Sequence, residues 1–300
     1  VPHGRRVQLA LERAAERYAR TLESDRGLPV SEAIRALAQA TSGIIGMLIV
    51  SADHAFFSSL PSLAPYSGLS PALAIVARNL HTACDLVAGR TAQARAGYLD
   101  ILAQLTGSSD IGVGLSVQRY IELSITYALA MLETLAGLST AEARIDRLEG
   151  EPFFEVAAWH LRMARALRDG DIATAELCER KAELVRIRNP PTQFFAGADV
   201  WYEAAAHAAV GDVARLHRTI DRLEHMALRY PRWQGTPLYA RGHIARLRGD
   251  PAMAVPLFEA ALRTVQPGGT AFWLRFACGH LLALAECGRV EDARAYGVTY

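Results

Sequence analysis

Three stretches of the chain come nearest to the spacing that catalysis requires. His217-Arg218-Thr219-Ile220-Asp221 has the His-Arg-Asp order of a phosphoryl-transfer loop, in which the aspartate would take the proton of an attacking hydroxyl. The spacing is wrong for that role, and Leu216, Ile220 and Leu223 place the segment on a helix with an apolar side. Gly112-Val113-Gly114 begins like a dinucleotide-binding turn, but Val117 stands where the third glycine belongs and no strand pattern precedes it. Gly107-Ser108-Ser109-Asp110 lacks the bracketing glycine of a nucleophile elbow and reads as a polar turn and cap. No phosphate-cradling Gly-x-x-x-x-Gly-Lys-Ser/Thr loop occurs, and the only lysine, Lys181, lies in a helical pattern among Glu179, Arg180 and Glu183. The nine histidines form no His-x-x-x-His or His-Glu-x-x-His, and His217 and His225 are about two helical turns apart. The expectation is a segment that is not an enzyme and holds no cofactor and no metal.

Charge narrows the partners. Lys plus Arg total 32 against 31 Asp plus Glu, and a net charge of +1 gives no global field for nucleic acid or an anionic membrane. Arg162, Arg165 and Arg168 share one helix face, as do Arg215, Arg218 and Arg222, and a phosphate stripe is conceivable there. Glu155 and Asp169 flank the first set and Asp212, Asp221 and Glu224 the second, which favours self-compensating surface charge over nucleic-acid binding. The near-absence of lysine reads as codon bias and leads to the expectation of a GC-rich, bacterial genome. Cys84, Cys178, Cys278 and Cys287 form no Cys-x-x-Cys pair and sit in apolar helical patterns, as buried thiols of a cytoplasmic protein do. Ile44 to Val50, the most apolar run, is far short of the roughly 20 residues of a membrane span. The start at Val1-Pro2-His3-Gly4 and a helical pattern still running at Tyr300 suggest part of a longer chain.

With 51% hydrophobic residues the chain can bury a core, and its periodicity is helical. Val7, Leu11, Ala14, Ala15, Tyr18 and Leu22 recur at three and four residues between Arg5 and Glu23; Gly27-Leu28-Pro29 breaks that helix, and Ser31 with Glu32 opens a second towards Val50. Pro61, Pro65, Gly68 and Pro71 make 60–71 a loop. Residues 1–71 therefore read as an N-terminal helical segment, an irregular repeat or a linker, ahead of a regular array over 72–300 that is cut short in its last repeat.

One junction punctuates that array. Gly89, Gly170, Gly249 and Gly288 are each followed five residues later by alanine, at Ala94, Ala175, Ala254 and Ala293. Glycine supplies the left-handed residue that ends a helix, and the alanine lets the next helix approach. Gly137 with Ala143, and Gly211 with Leu216, are weaker copies. Asp171, Asp212 and Asp250 can cap the following helices, Ser139 with Glu142 reads as a capping box, and Pro251 suits a first turn. The glycines fall at intervals of 48, 33, 41, 38 and 39 residues, with second breaks at Glu151-Pro152, Asn189-Pro190-Pro191, Tyr230-Pro231 and Gln266-Pro267-Gly268-Gly269. That is the spacing of two-helix repeats, which bury their apolar stripes only by stacking.

The segment from Gly249 to Leu262, with Ala254, Phe258 and Ala261 at its small, aromatic and small positions and Gly242 seven residues before the turn, resembles a tetratricopeptide repeat. Gly89 to Ile101, with Ala94 and Tyr98, is similar. The resemblance implies an all-α fold, a right-handed superhelical solenoid of helix pairs. More finely, Leu28-Pro29-Val30-Ser31-Glu32-Ala33, the loop Leu60-Pro61-Ser62-Leu63-Ala64-Pro65 and the loose pairs after them resemble the C-terminal helical tail of large bacterial serine/threonine kinase and signal-transducing NTPase proteins. The helical arms of transcriptional activators fit the repeats equally well. In the tetratricopeptide family the first helix of each pair lines a groove, and counting back from the turns assigns partner contact to His160, Trp201, Tyr239, His243, Arg246 and Cys278. Packing of Trp201 and Tyr239 between helices is the competing reading. The function implied is a protein-interaction or regulatory module that binds a protein segment or its own chain's catalytic domains. The alternative is a small-ligand sensor with a pocket among Phe194, Phe195, Trp201 and Tyr202.

Overall fold

The computed structural model describes residues 71–107, 111, 115–188, 196–265, 267 and 271–300. The helices expected over 5–23 and 31–50 and the break at Asn189 to Pro191 lie outside the described residues. Within them the chain forms twelve α-helices and no strand. These are α1 (Pro71–Val87), α2 (Thr91–Gly107), α3 (Leu115–Ala136), α4 (Ala141–Leu148), α5 (Glu155–Arg168), α6 (Ile172–Arg188), α7 (Ala196–Val210), α8 (Val213–Arg229), α9 (Gly235–Leu247), α10 (Pro251–Leu262), α11 (Ala271–Glu286) and α12 (Val290–Thr299). The all-α expectation holds. Pro71, read as the end of a loop, is instead the first residue of α1, where a missing amide costs nothing.

The odd and even helices are joined by tight turns at the expected glycines. Gly89, Gly137, Gly170, Gly211, Gly249 and Gly288 all have φ between 74° and 84°. At Gly249 the Asp250 amide donates to the Ala245 carbonyl and the Gly249 amide to that of Arg246, both at 3.0 Å, so the last carbonyls of α9 are satisfied as the helix ends. Asp171, Asp212 and Asp250 then accept the amides of Thr174, Arg215 and Met253 at 2.9 to 3.0 Å, capping α6, α8 and α10. The capping box expected at Ser139 does not form. Thr140 takes the cap position of α4, its backbone stays helical, and its side chain makes no capping bond. A further left-handed glycine, Gly150, ends α4.

The chain divides into two compact units. Among the described residues the first holds 71–86 and Arg90–Phe154, with α1 to α4, and the second holds Val87–Gly89 and Glu155–Tyr300, with α5 to α12. In the first unit α1 and α2 touch so closely that a Cβ on Gly97 would lie 2.5 Å from Thr82 Oγ1. Its polar centre is Glu133 of α3, 0% exposed, which accepts from Arg95 of α2 at 2.9 Å and from Arg144 of α4 at 2.8 Å. Burial pushes this carboxyl up, but the bonds from Arg144 and Thr140 outweigh it and hold Glu133 below the usual carboxylate range.

In the second unit each first helix packs on the next, α5 on α7, α7 on α9 and α9 on α11, while α8 also packs on α9 and α10 on α11. The small residues after the turns sit inside, Ala175 and Ala254 being buried. The tightest approach is at Phe258 of α10, 0% exposed. A Cβ on Gly242 of α9 would come within 2.9 Å of its ring and one on Gly279 of α11 within 2.8 Å of the same Cζ.

Candidate functional site

The six residues assigned to partner contact lie in three settings, all in the second unit. His160 of α5 is buried, with its Nε2 3.4 Å from Glu203 Oε1 and 3.2 Å from Arg186 Nη2. Glu203 is itself buried on α7 and also pairs with Arg222 of α8. His160 thus belongs to a polar seam tying α5, α6, α7 and α8, which is a role in cohesion.

Trp201, Tyr239 and His243 are brought together, but inside. The Trp201 ring lies 5.1 Å from Tyr239 and 4.7 Å from Phe272, Tyr239 lies 4.5 Å from His243 and 5.7 Å from Phe276, and His243 lies 5.0 Å from Phe258. These tilted and edge-on contacts are the arrangement aromatic quadrupoles favour. Burial pushes the Tyr239 hydroxyl up to about 12. His243 is 6% exposed, and burial first, then the charges of Arg246 and Arg275, lower it to about 3, so it is neutral. The reason these positions are covered is the direct packing of α7, α9 and α11, which Gly242 and Gly279 permit by removing two side chains from the seam.

Arg246 and Cys278 are nearer the surface. The Arg246 guanidinium is half-buried and donates to Glu286 at 2.5 Å, joining α9 to α11. Cys278 is exposed with a free thiol. The arginine faces are compensated as charge balance suggested: Arg215 pairs with Asp212, Glu176 and Glu179, Arg222 with Glu203, and Arg165 and Arg168 with Asp169. Arg162 and Lys181 both lie over the Trp159 ring, at 5.4 and 4.1 Å from its centroid. Phe194 and Phe195 of the alternative small-ligand pocket, and the Tyr202 side chain, lie outside the described residues.

A concave feature lies elsewhere, on α8, α9 and α10. A half-open groove of about 570 Å³ has Ile220, Ile244, Ala245 and Leu257 among its apolar lining and Met253 at its mouth. Met253 is 57% exposed. The α8 wall carries His217, Asp221 and Glu224, α9 contributes Arg241, and Arg248 and Asp250 follow in the turn between α9 and α10. Glu224 and Arg241 pair across the groove. His217 and Asp221 are helical, as their apolar neighbours indicated, and the groove gives them a place on its wall. Sequence reasoning passed over this site because its walls come from three helices; the one local signal was Met253, beside the Asp250 cap on the solvent side of α10.

Among the described residues no group of three or more His, Cys, Asp or Glu is placed to hold a metal, and no helix is long and apolar enough to cross a membrane. No family model matches the chain, and no curated protein or solved structure matches it either.

Proposed function

We propose that the chain is a protein-interaction module built from helix pairs in the manner of tetratricopeptide repeats, and that its second unit binds a segment of a protein in the groove of α8, α9 and α10. The observation that carries this reading is the groove itself. It joins an apolar floor to an exposed methionine between walls that carry charges of both signs, and Met packs adaptably against varied partners. An open groove suits an extended occupant better than an enclosed metabolite. The regulatory role, in which such a segment belongs to a linked kinase, NTPase or transcription regulator of a bacterial signalling protein, rests on the resemblance read from the sequence.

The test is a selection of displayed random peptides on the whole chain, followed by affinity measurement on two variants. Selected peptides that lose binding to Met253→Glu and keep it with Arg246→Ala support the groove. Peptides that bind Met253→Glu unchanged, or that depend on Arg246 instead, place the contact elsewhere and overturn the reading. Trp201 and Tyr239 are unsuited to such a test, since replacing either empties the core.

A further inference from the structure

The helix α6 is apolar on two faces. Ala175, Cys178, Ala182 and Val185 are buried and pack with Trp159, Met163 and Leu167 of α5. On the outward side Ala173, Leu177, Arg180, Leu184 and Ile187 are all exposed, the two leucines and the isoleucine by 47 to 70%. The inner row explains why α6 belongs to the fold; the outer one has no such role. Its spacing of four, three, four and three residues is the seven-residue repeat of a coiled-coil seam.

The charges beside the seam say what can cover it. Glu176 and Glu183 run along one side, Lys181 and Arg188 along the other, and each acid precedes a base by five residues. When two such helices lie parallel and in register, a residue flanking the seam meets the one five positions later on the other helix. Glu176 then faces the partner's Lys181 and Glu183 the partner's Arg188, each contact occurring twice by symmetry. An antiparallel pair sets acid against acid and base against base. Within the fold Glu183 holds Arg186 at 2.5 Å, Glu176 holds Arg215 at 3.3 Å, and the Lys181 ammonium lies over the Trp159 ring. Both carboxylates are about half exposed, so each keeps an open side for a second cation. Arg180, inside the seam, is the one charge that meets its own kind, with Glu176 and Glu183 a turn away on either side.

We infer that α6 is a self-association face, through which two copies of the chain pair as a short, parallel, two-stranded coiled coil. The helix is already held by its inner row, so association does not have to order it. Two heptads make a small contact and Arg180 weakens it, so the dimer forms as concentration rises and is not permanent. This pairing does not rest on the groove, whose lining comes from α8, α9, α10 and the turn before α10.

Sedimentation equilibrium of the full chain should show monomer and dimer exchanging with a dissociation constant of about 10–100 μM. Leu184→Glu should leave only monomer. Glu183→Lys should weaken the dimer about tenfold, and adding Arg188→Glu to it should restore the original constant, because the charge pair is then reversed and not removed. Arg180→Leu completes the seam and should tighten the dimer about tenfold or more. Ile187→Cys, in a Cys278→Ser background, should link copy to copy under mild oxidation, since identical positions near a helix end meet only in a parallel pair. The substituted α6 positions are exposed, and unchanged thermal unfolding of the variants shows that the fold is intact. A chain that stays monomeric at about 300 μM, or a dimer indifferent to Leu184→Glu, overturns the inference. A dimer that the reversed Glu183 and Arg188 pair fails to restore overturns the parallel arrangement. Selected peptides that depend on Leu184 while the chain stays monomeric assign the face to another protein and overturn self-association.

Discussion

The pairs α5–α6 and α9–α10 make the same turn and fill their interiors differently. Gly170 and Gly249 have φ of 77° and 84°, and Asp171 and Asp250 each accept the amide three residues on at 3.0 Å. Seven residues before the turn α9 has Gly242 and α5 has Met163; nine residues after it α10 has Phe258 and α6 has Glu179. In the later pair an aromatic ring occupies the space of a missing side chain. In the earlier one Met163 fills that space itself, packed with Trp159, Cys178 and Ala182, and Glu179 turns outward to Arg215 at 3.0 Å. The turn depends on backbone conformation and one carboxylate, so few residues can make it. The interior depends on total volume, which different side chains supply equally well.

The comparison breaks most decisively at its aromatic end. Phe258→Ala should cost about 3–5 kcal/mol of unfolding free energy in urea titration, while Glu179→Ala, at the matching position, should stay within about 0.5 kcal/mol. Equal costs would mean that the two pairs are filled alike. Gly242→Ala should cost about 1–3 kcal/mol by forcing a methyl into the Phe258 ring, read as a lowered urea midpoint with unchanged slope. At Met163, where the space is already filled, the smaller Ala is the destabilising choice.

A third test uses pH. His243 is held neutral at about 3 against 6.5 for the free side chain. Its folded pKa is depressed, so its contribution is complete above pH 6.5 and is lost as pH falls towards 3. Between pH 7 and pH 5 this one side chain should remove about 2 kcal/mol, and His243→Phe should flatten the stability profile by that amount. His207 and His280, also lowered by burial, keep a residual slope, whereas Glu133 and Asp212 act only below the ordinary carboxylate range. Smallest and most uniform are the caps: Asp171→Ala and Asp250→Ala should each cost about 1 kcal/mol by thermal unfolding, alike in both pairs.

These differences explain what could be read from the sequence. The turns were legible because each is encoded within about six consecutive residues: all six glycines singled out are left-handed, the three aspartates cap, and Pro251 opens α10. Ser139 does not cap because α4 begins one residue later than the pattern suggests, at Ala141, which leaves Thr140 at the cap. The six residues of the groove-lining assignment lie on the helices α5, α7, α9 and α11. The assignment could not register that α9 and α11 close to contact over Phe258, which covers Tyr239 and His243. Equally, no spacing announces the groove. Ile220, Ile244 and Leu257 look like any core residues until three helices leave a trough between them.

Phe258 also has a consequence for how the second unit opens. Its ring stands between Gly242 of α9 and Gly279 of α11 while its own backbone belongs to α10, so none of the three helices can detach without exposing it. Their amide protons should exchange with solvent through one shared opening, at one common free energy, instead of fraying pair by pair. A peptide seated against α9 and α10 would then slow exchange in α11, a helix that contributes no residue to the groove lining.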